Sequence, residues 1–90
     1  MMKNKYIQNK KVIQSKIGDE VVMLDMDSGF YFGLNSVASI IWGKLEKEMS
    51  IDEIISDLLN DYNIDKLTCE EETKDFLEQL LEKNIIKEVS

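Results

Sequence analysis

At Asn35 the apolar residues stop recurring at every second position and begin recurring at intervals of three and four, and this change of period constrains the fold more than any other feature of the chain. Before it, Ile13 and Ile17 stand either side of Ser15, and beyond Gly18-Asp19 come Val22, Leu24 and Met26, again at every second residue. That is the pattern of a β-hairpin with a two-residue turn. Pairing Ile17 with Glu20 sets Ile13 opposite Leu24 and Ser15 opposite Val22. Ile13, Ile17, Val22, Leu24 and Met26 then share one face, which the spacing predicts to be the buried one.

The next turn orients the third strand. A two-residue loop at Asp27-Ser28 would place Tyr31 and Gly33 on the apolar face, whereas a three-residue loop Asp27-Ser28-Gly29 places Phe30, Phe32 and Leu34 there. The second is preferred, because Asp and Ser suit the αR positions of a type I turn and Gly29 can follow in αL at little steric cost. Tyr31 and Gly33 then face the other side.

After Asn35, a good N-cap, the helical stripe is Val37, Ile40, Ile41 and Leu45, with Trp42 at its margin. A second helix is predicted from a capping box of Ser50 and Glu53, with Met49 stapled onto Ile54; its stripe is Ile51, Ile54, Ile55, Leu58 and Leu59, ending near Tyr62. A third is predicted to be capped by Thr68, with Glu71 three residues on, Glu70, Glu71 and Glu72 in its first turn, and Phe76, Leu77, Leu80 and Leu81 buried. Asn84 suits an αL stop, with Ile85 folding back to Leu80. Residues 1–10 are polar and aperiodic and are expected to form a flexible N-terminal arm, tacked down at Tyr6 and Ile7, with the domain spanning 11–90. The expected class is therefore α+β: a three-stranded antiparallel sheet followed by three helices.

Composition limits the chemistry. The 90 residues suit one small binding domain, and 11 Lys plus Arg against 18 Asp plus Glu give a net charge of −7, which repels phosphate backbones and argues against a nucleic-acid partner. There is no His and a single Cys, so the usual general base, metal ligand and disulfide framework are missing, and neither catalysis nor a metal or other cofactor is expected. No apolar run is long enough to span a membrane, and no apolar segment follows Met-Met-Lys-Asn-Lys-Tyr, so the chain reads as cytoplasmic.

Individual candidates mostly have plainer readings. Cys69, at the expected first position of the third helix, faces three glutamates and has no base, so it reads as a structural thiol. Asp25, Asp27 and Gly29 have a D-x-D-x-G spacing but lack the glutamate of a calcium loop and read as a hairpin turn. The acids of the third helix, Glu70, Glu71, Glu72, Asp75, Glu78 and Glu82, read as a solvated face. Tyr31 is balanced between an exposed strand residue and a ligand contact.

Gly29-Phe30-Tyr31-Phe32-Gly33-Leu34-Asn35, followed by Ile41-Trp42, resembles the G-x-x-x-x-LN…IW signature of the coenzyme PQQ synthesis protein D family. Ser50-Ile51-Asp52-Glu53-Ile54-Ile55 resembles that family's T-x-x-E-I segment, Leu58-Leu59 with Tyr62 its L-x-x-x-Y end, and Phe76-Leu77 with Leu80 its last helix. Asn84-Ile85-Ile86 departs from the Gly-Leu-Leu usual there. The resemblance covers about residues 11–88 and implies a winged-helix-like recognition element for ribosomally made, post-translationally modified peptides. Stand-alone copies of it resemble those of lasso-peptide pathways, which hand the leader of a precursor peptide to a separate leader peptidase or other modifying enzyme. It also implies a site: the leader pairs with the third strand, here Gly29, Phe30, Tyr31, Phe32, Gly33 and Leu34, beside the third helix, where Thr73, Phe76, Leu77 and Leu80 are the candidates. The residues agree with this, because the third strand of a meander is an open edge and Gly33 would let a second backbone come close. A winged-helix DNA-binding regulator is the alternative, disfavoured because the last helix is acidic.

Overall fold

The computed structural model describes residues 4–89. Its elements are β1 (Lys5–Gln8), β2 (Val12–Ile17), β3 (Glu20–Asp25), β4 (Tyr31–Leu34), α1 (Ser36–Lys44), β5 (Met49–Ser50), α2 (Ile51–Asp61), α3 (Lys66–Glu82) and β6 (Ile86–Val89). The expected α+β class is present: an antiparallel sheet in the order β2-β3-β4 precedes three helices in a winged-helix-like arrangement.

A second sheet, ordered β5-β1-β6, corrects the expectation of a flexible arm over 5–8; residues 1–3 of that arm lie outside the described residues. Lys5 to Gln8 pair antiparallel with β6, Lys5 opposite Val89 and Gln8 opposite Ile86, and the Gln8 amide donates to the Leu45 carbonyl at 2.9 Å. One partner of β1 is β5, in mid-chain, and the other, β6, lies at the far end of the sequence. No local pattern could reveal that pairing.

The first hairpin is as expected. Gly18 turns with φ +63°, Ile17 pairs with Glu20, Ile13 with Leu24 and Ser15 with Val22. Its buried face, however, is the opposite one. Met23 is fully buried and Leu34 nearly so, with Val12, Val21 and Phe32 packed against them, while Ile13, Ile17 and Met26 are 52%, 67% and 60% exposed.

Two causes act together. Five residues, Met26 to Phe30, separate β3 from β4 in place of the expected three-residue loop: the Asp25 amide donates to the Phe30 carbonyl at 3.0 Å and the Gly29 amide to the Asp25 carbonyl at 2.8 Å. This sets Met23 across from Phe32 and Val21 across from Leu34. Gly29 is in αL, φ +76°, as expected, but Phe30 leaves the turn 68% exposed and is not a core residue. The second cause is α1, which covers the Met23 face. Its Ser39 hydroxyl accepts from the Val21 amide at 3.0 Å and donates to the Leu34 carbonyl at 3.2 Å, bridging the end of the ladder. Burying a Leu or Met stabilises by about 1.5–3 kcal/mol, and both faces offer comparable apolar side chains, so the covering helix decides.

Asn35 caps α1, its Oδ1 accepting from the Ala38 amide at 2.9 Å. Trp42 lies at the centre of the core, 2% exposed, and its indole N–H donates to Gln14 Oε1; Val37, expected in the stripe, is 44% exposed. The Ser50–Glu53 capping box of α2 is present in both directions, and the helix ends at Tyr62. In α3 the cap is Asp65, not Thr68. The Asp65 carboxylate accepts from the Thr68 amide and from its hydroxyl, both at 3.0 Å, so Thr68 is the capped residue rather than the cap. The helix therefore begins at Lys66, the three glutamates lie beyond its first turn, and Cys69 packs into the core at 3% exposure. At the other end Asn84 takes φ +58°, the Ile85 amide donates to the Leu80 carbonyl at 2.9 Å and the Asn84 amide to the Leu81 carbonyl at 3.0 Å, the two bonds of a Schellman motif.

Candidate functional site

The Asp25–Phe30 bond fixes which way every amide of β4 points. Bonded and non-bonded pairs alternate along an antiparallel ladder, so Phe32 and Leu34, like the Phe30 carbonyl, direct their backbone groups at β3, while the Phe30 amide donates to the Ser28 hydroxyl. Tyr31 and Gly33 direct theirs outward, along the open edge. β4 is the last strand of its sheet, so these outward groups can pair with another extended chain.

β2 is the sheet's other edge. A hollow of about 760 Å³, lined by residues that include Gln14, Lys16, Ser39, Gly43 and Tyr62, lies between it and α1. Lys16, however, lies opposite Val21 on the inward face of the sheet, and a charge held there discourages strand addition. β4, with the sequence Tyr-Phe-Gly-Leu, carries no charge. It is the more receptive edge.

α3 runs beside β4. Lys83, the C-cap of α3, holds its ammonium 5.4 Å from the centroid of the Phe32 ring. The middle of α3 faces the first turns of α1 across a cleft of about 280 Å³, lined by Val37, Ala38, Ile41 and Phe76 and by the polar Glu72, Asp75 and Gln79. Strand edge, Phe32 and cleft thus belong to one side of the molecule.

Of the residues expected from sequence, Tyr31, Phe32, Gly33 and Leu34 form β4. Tyr31 is 72% exposed, on the outer face of the sheet, while Leu34 is buried beneath the strand. Gly29 and Phe30 belong to the turn before it. A Cβ on Gly33 would meet nothing within 4 Å, so no contact within the chain demands glycine there. Phe76 lines the cleft, but Thr73, Leu77 and Leu80 do not: they are 1%, 1% and 4% exposed and form the core face of α3. Spacings of three and four place those three on one stripe, and Phe76, one position before Leu77, is rotated to the margin where the groove lies. Val37, Ala38 and Gln79 also line the cleft and are not among the residues expected from sequence.

The turn that launches β4 is held by charge. The buried Asp25 carboxylate accepts from the Asp27 amide at 3.1 Å and the Ser28 hydroxyl at 3.0 Å, and lies 3.3 Å from Lys11 Nζ. Burial alone would raise its pKa; the hydrogen bonds from Asp27, Ser28 and Lys11, and the Lys11 charge, outweigh it and leave the pKa lowered. This agrees with the reading of D-x-D-x-G as a turn. Among the described residues no cluster of His, Cys, Asp and Glu could hold a metal ion, and no helix is long and apolar enough to cross a membrane.

The sequence profile of coenzyme PQQ synthesis protein D (PqqD) matches residues 20–86. Among solved structures, TbiB1 in complex with the TbiA(beta) leader peptide is 36% identical and superposes with a TM-score of 0.81, over 90% of this chain and 94% of that one. Lasso peptide synthetase B1 complexed with the leader peptide superposes with a TM-score of 0.78 over 91% of this chain and 96% of that one; at 21% identity it shares the fold. No curated protein sequence matches the chain significantly.

Proposed function

We propose, from the premise that the chain belongs to the coenzyme PQQ synthesis protein D (PqqD) family, that it is a leader-peptide-binding adaptor of the lasso-peptide type. It binds the leader of a ribosomally made precursor and presents it to a separate leader peptidase or other modifying enzyme. The observation that carries this reading is the uncharged open edge of β4 beside the α1–α3 cleft, in a chain 36% identical to a protein solved with a leader peptide bound.

In this reading the leader adds antiparallel to β4, exchanging main-chain bonds with Tyr31 and Gly33 and seating an apolar side chain against Phe76, Val37 and Ala38. Thr73, Leu77 and Leu80 hold α3 in place from the core. The chain performs no chemistry itself. A cytoplasmic setting follows from the partner, because ribosomal precursors are made there. The DNA-binding alternative finds no support: α3 carries Lys66 and Lys74 against six acids, and the chain has a net charge of −7.

The test is titration of the isotopically labelled chain with the synthetic leader of the precursor encoded beside its gene. Amide shifts concentrated on Tyr31 to Leu34 and along the Phe76 side of α3 are expected. Shifts confined to β2 and α2, or no binding, would reject the reading.

A further inference from the structure

The side chain of Lys11 ties the turn before β4 to the C-terminal end of α3, where the Lys83 side chain also meets Phe32. Lys11 Nζ donates to the carbonyl of Lys83, the C-cap residue of α3, at 3.2 Å. The same ammonium lies 3.3 Å from Asp25 and 3.5 Å from Asp27, in the turn that opens into β4. Its side chain is 17% exposed and that of Asp25 only 5%, so most of the water that would screen the pair is gone. The backbone of Lys11 takes part as well, because its carbonyl accepts from the Met26 amide at 3.1 Å. Asn9, two residues earlier, reaches the same corner of α3, donating from its side chain to the Asn84 carbonyl at 3.0 Å.

We infer that Lys11 is a positioning residue for the peptide groove: by bridging the Asp25 turn to the C-cap carbonyl of α3 it fixes the spacing between the start of β4 and the end of α3, and so prepares the edge for the incoming strand. This rests on the leader-binding reading above. Lys11 need not touch the peptide. Its effect is to spare the peptide the cost of ordering the groove on binding. Lys83 transmits the constraint, since its carbonyl is the acceptor and its side chain covers Phe32.

The experiment measures the affinity of the fluorescein-labelled synthetic leader for the full chain and for Lys11→Met, Lys11→Arg, Asp25→Asn and the Lys11→Met/Asp25→Asn double variant. Thermal midpoints are recorded in parallel. Lys11→Met should bind about tenfold more weakly, on the scale of ordinary coupling between a remote group and a site. Lys11→Arg, which keeps the charge and several donors, should recover most of the affinity. The double variant should bind no more weakly than the weaker single one, because both substitutions break the same bridge. If Lys11→Met does not fold, Asp25→Asn decides alone, since it preserves the shape of the turn. Wild-type affinity in a folded Lys11→Met or Asp25→Asn, or strictly additive losses, would overturn the inference. Absence of binding by the unaltered chain would instead overturn the leader-binding reading on which it rests.

Discussion

Lys83 holds its ammonium over the ring of Phe32, 5.4 Å from the centroid, so the residue that closes α3 covers an aromatic of the edge strand. A cation–π contact at an exposed position is worth about 0.5–1 kcal/mol. Lys83→Gln should lower the free energy of unfolding in urea by no more than that. Phe32→Ala, which also removes apolar packing from the half-buried ring, should cost about 2–3 kcal/mol. Equal costs for the two would show that the ring packs on nothing but the lysine.

Gly33→Pro separates binding from folding. The Gly33 amide points along the open edge and donates to no strand of the sheet, so proline removes no ladder bond. The variant should fold while its leader affinity falls by about tenfold or more, through the lost donor and the peptide carbonyl left without one. Gly33→Val should be far milder, because its Cβ projects into open space on the outer face. Equal loss in both variants would point to side-chain crowding rather than main-chain pairing.

Acid should unfold the protein partly through Asp25 and Asp65. Both have pKa values lowered in the folded chain. For Asp65 the bond from the Thr68 amide is the largest cause; for Asp25, burial opposes and the hydrogen bonds and Lys11 prevail. A lowered folded-state pKa gives stability that is present above the ordinary aspartate value, about 4, and lost as pH falls through the folded value. Thermal midpoints should therefore decline below about pH 4, and less steeply in Asp25→Asn/Asp65→Asn. A parallel decline in that variant would remove both groups from the account.

Ser50→Ala removes one half of the capping box of α2. Its cost should be about 1 kcal/mol, with leader affinity unchanged because α2 lies outside the groove. Reduced affinity at an unchanged midpoint would contradict that placement.

Ile17→Thr tests the reversed face of the meander. At 67% exposure Ile17 packs against little, and the substitution should change stability by less than about 0.5 kcal/mol. Met23→Ala, on the covered face, should cost about 2–5 kcal/mol.

Local signals in the sequence were reliable wherever the structure satisfies them locally. The Gly18-Asp19 turn, the Asn35 cap, the Ser50 box and the Asn84 stop each involve residues within a few positions of one another. The inward face of the meander was not legible, because Ile13, Ile17, Val22 and Leu24 form as good an apolar set as Val12, Val21, Met23 and Leu34. A helix supplied later in the chain chooses between them. The open edge of β4 could be read as topology, since a third meander strand has a free side. The helix half of the groove could not, because Thr73, Leu77 and Leu80 give the same apolar signal whether they face a peptide or the core.

The pairing of β1 with β6 brings residues from the two ends of the described chain side by side, Lys5 directly across from Val89. A domain built this way can be spliced into the loop of a larger protein, because entry and exit points a strand's width apart impose almost no stretch on the host. It can equally be tethered from either end at nearly the same distance from β4. A linker to a partner enzyme would then set the local concentration of captured leader through its length alone, whichever end it is attached to.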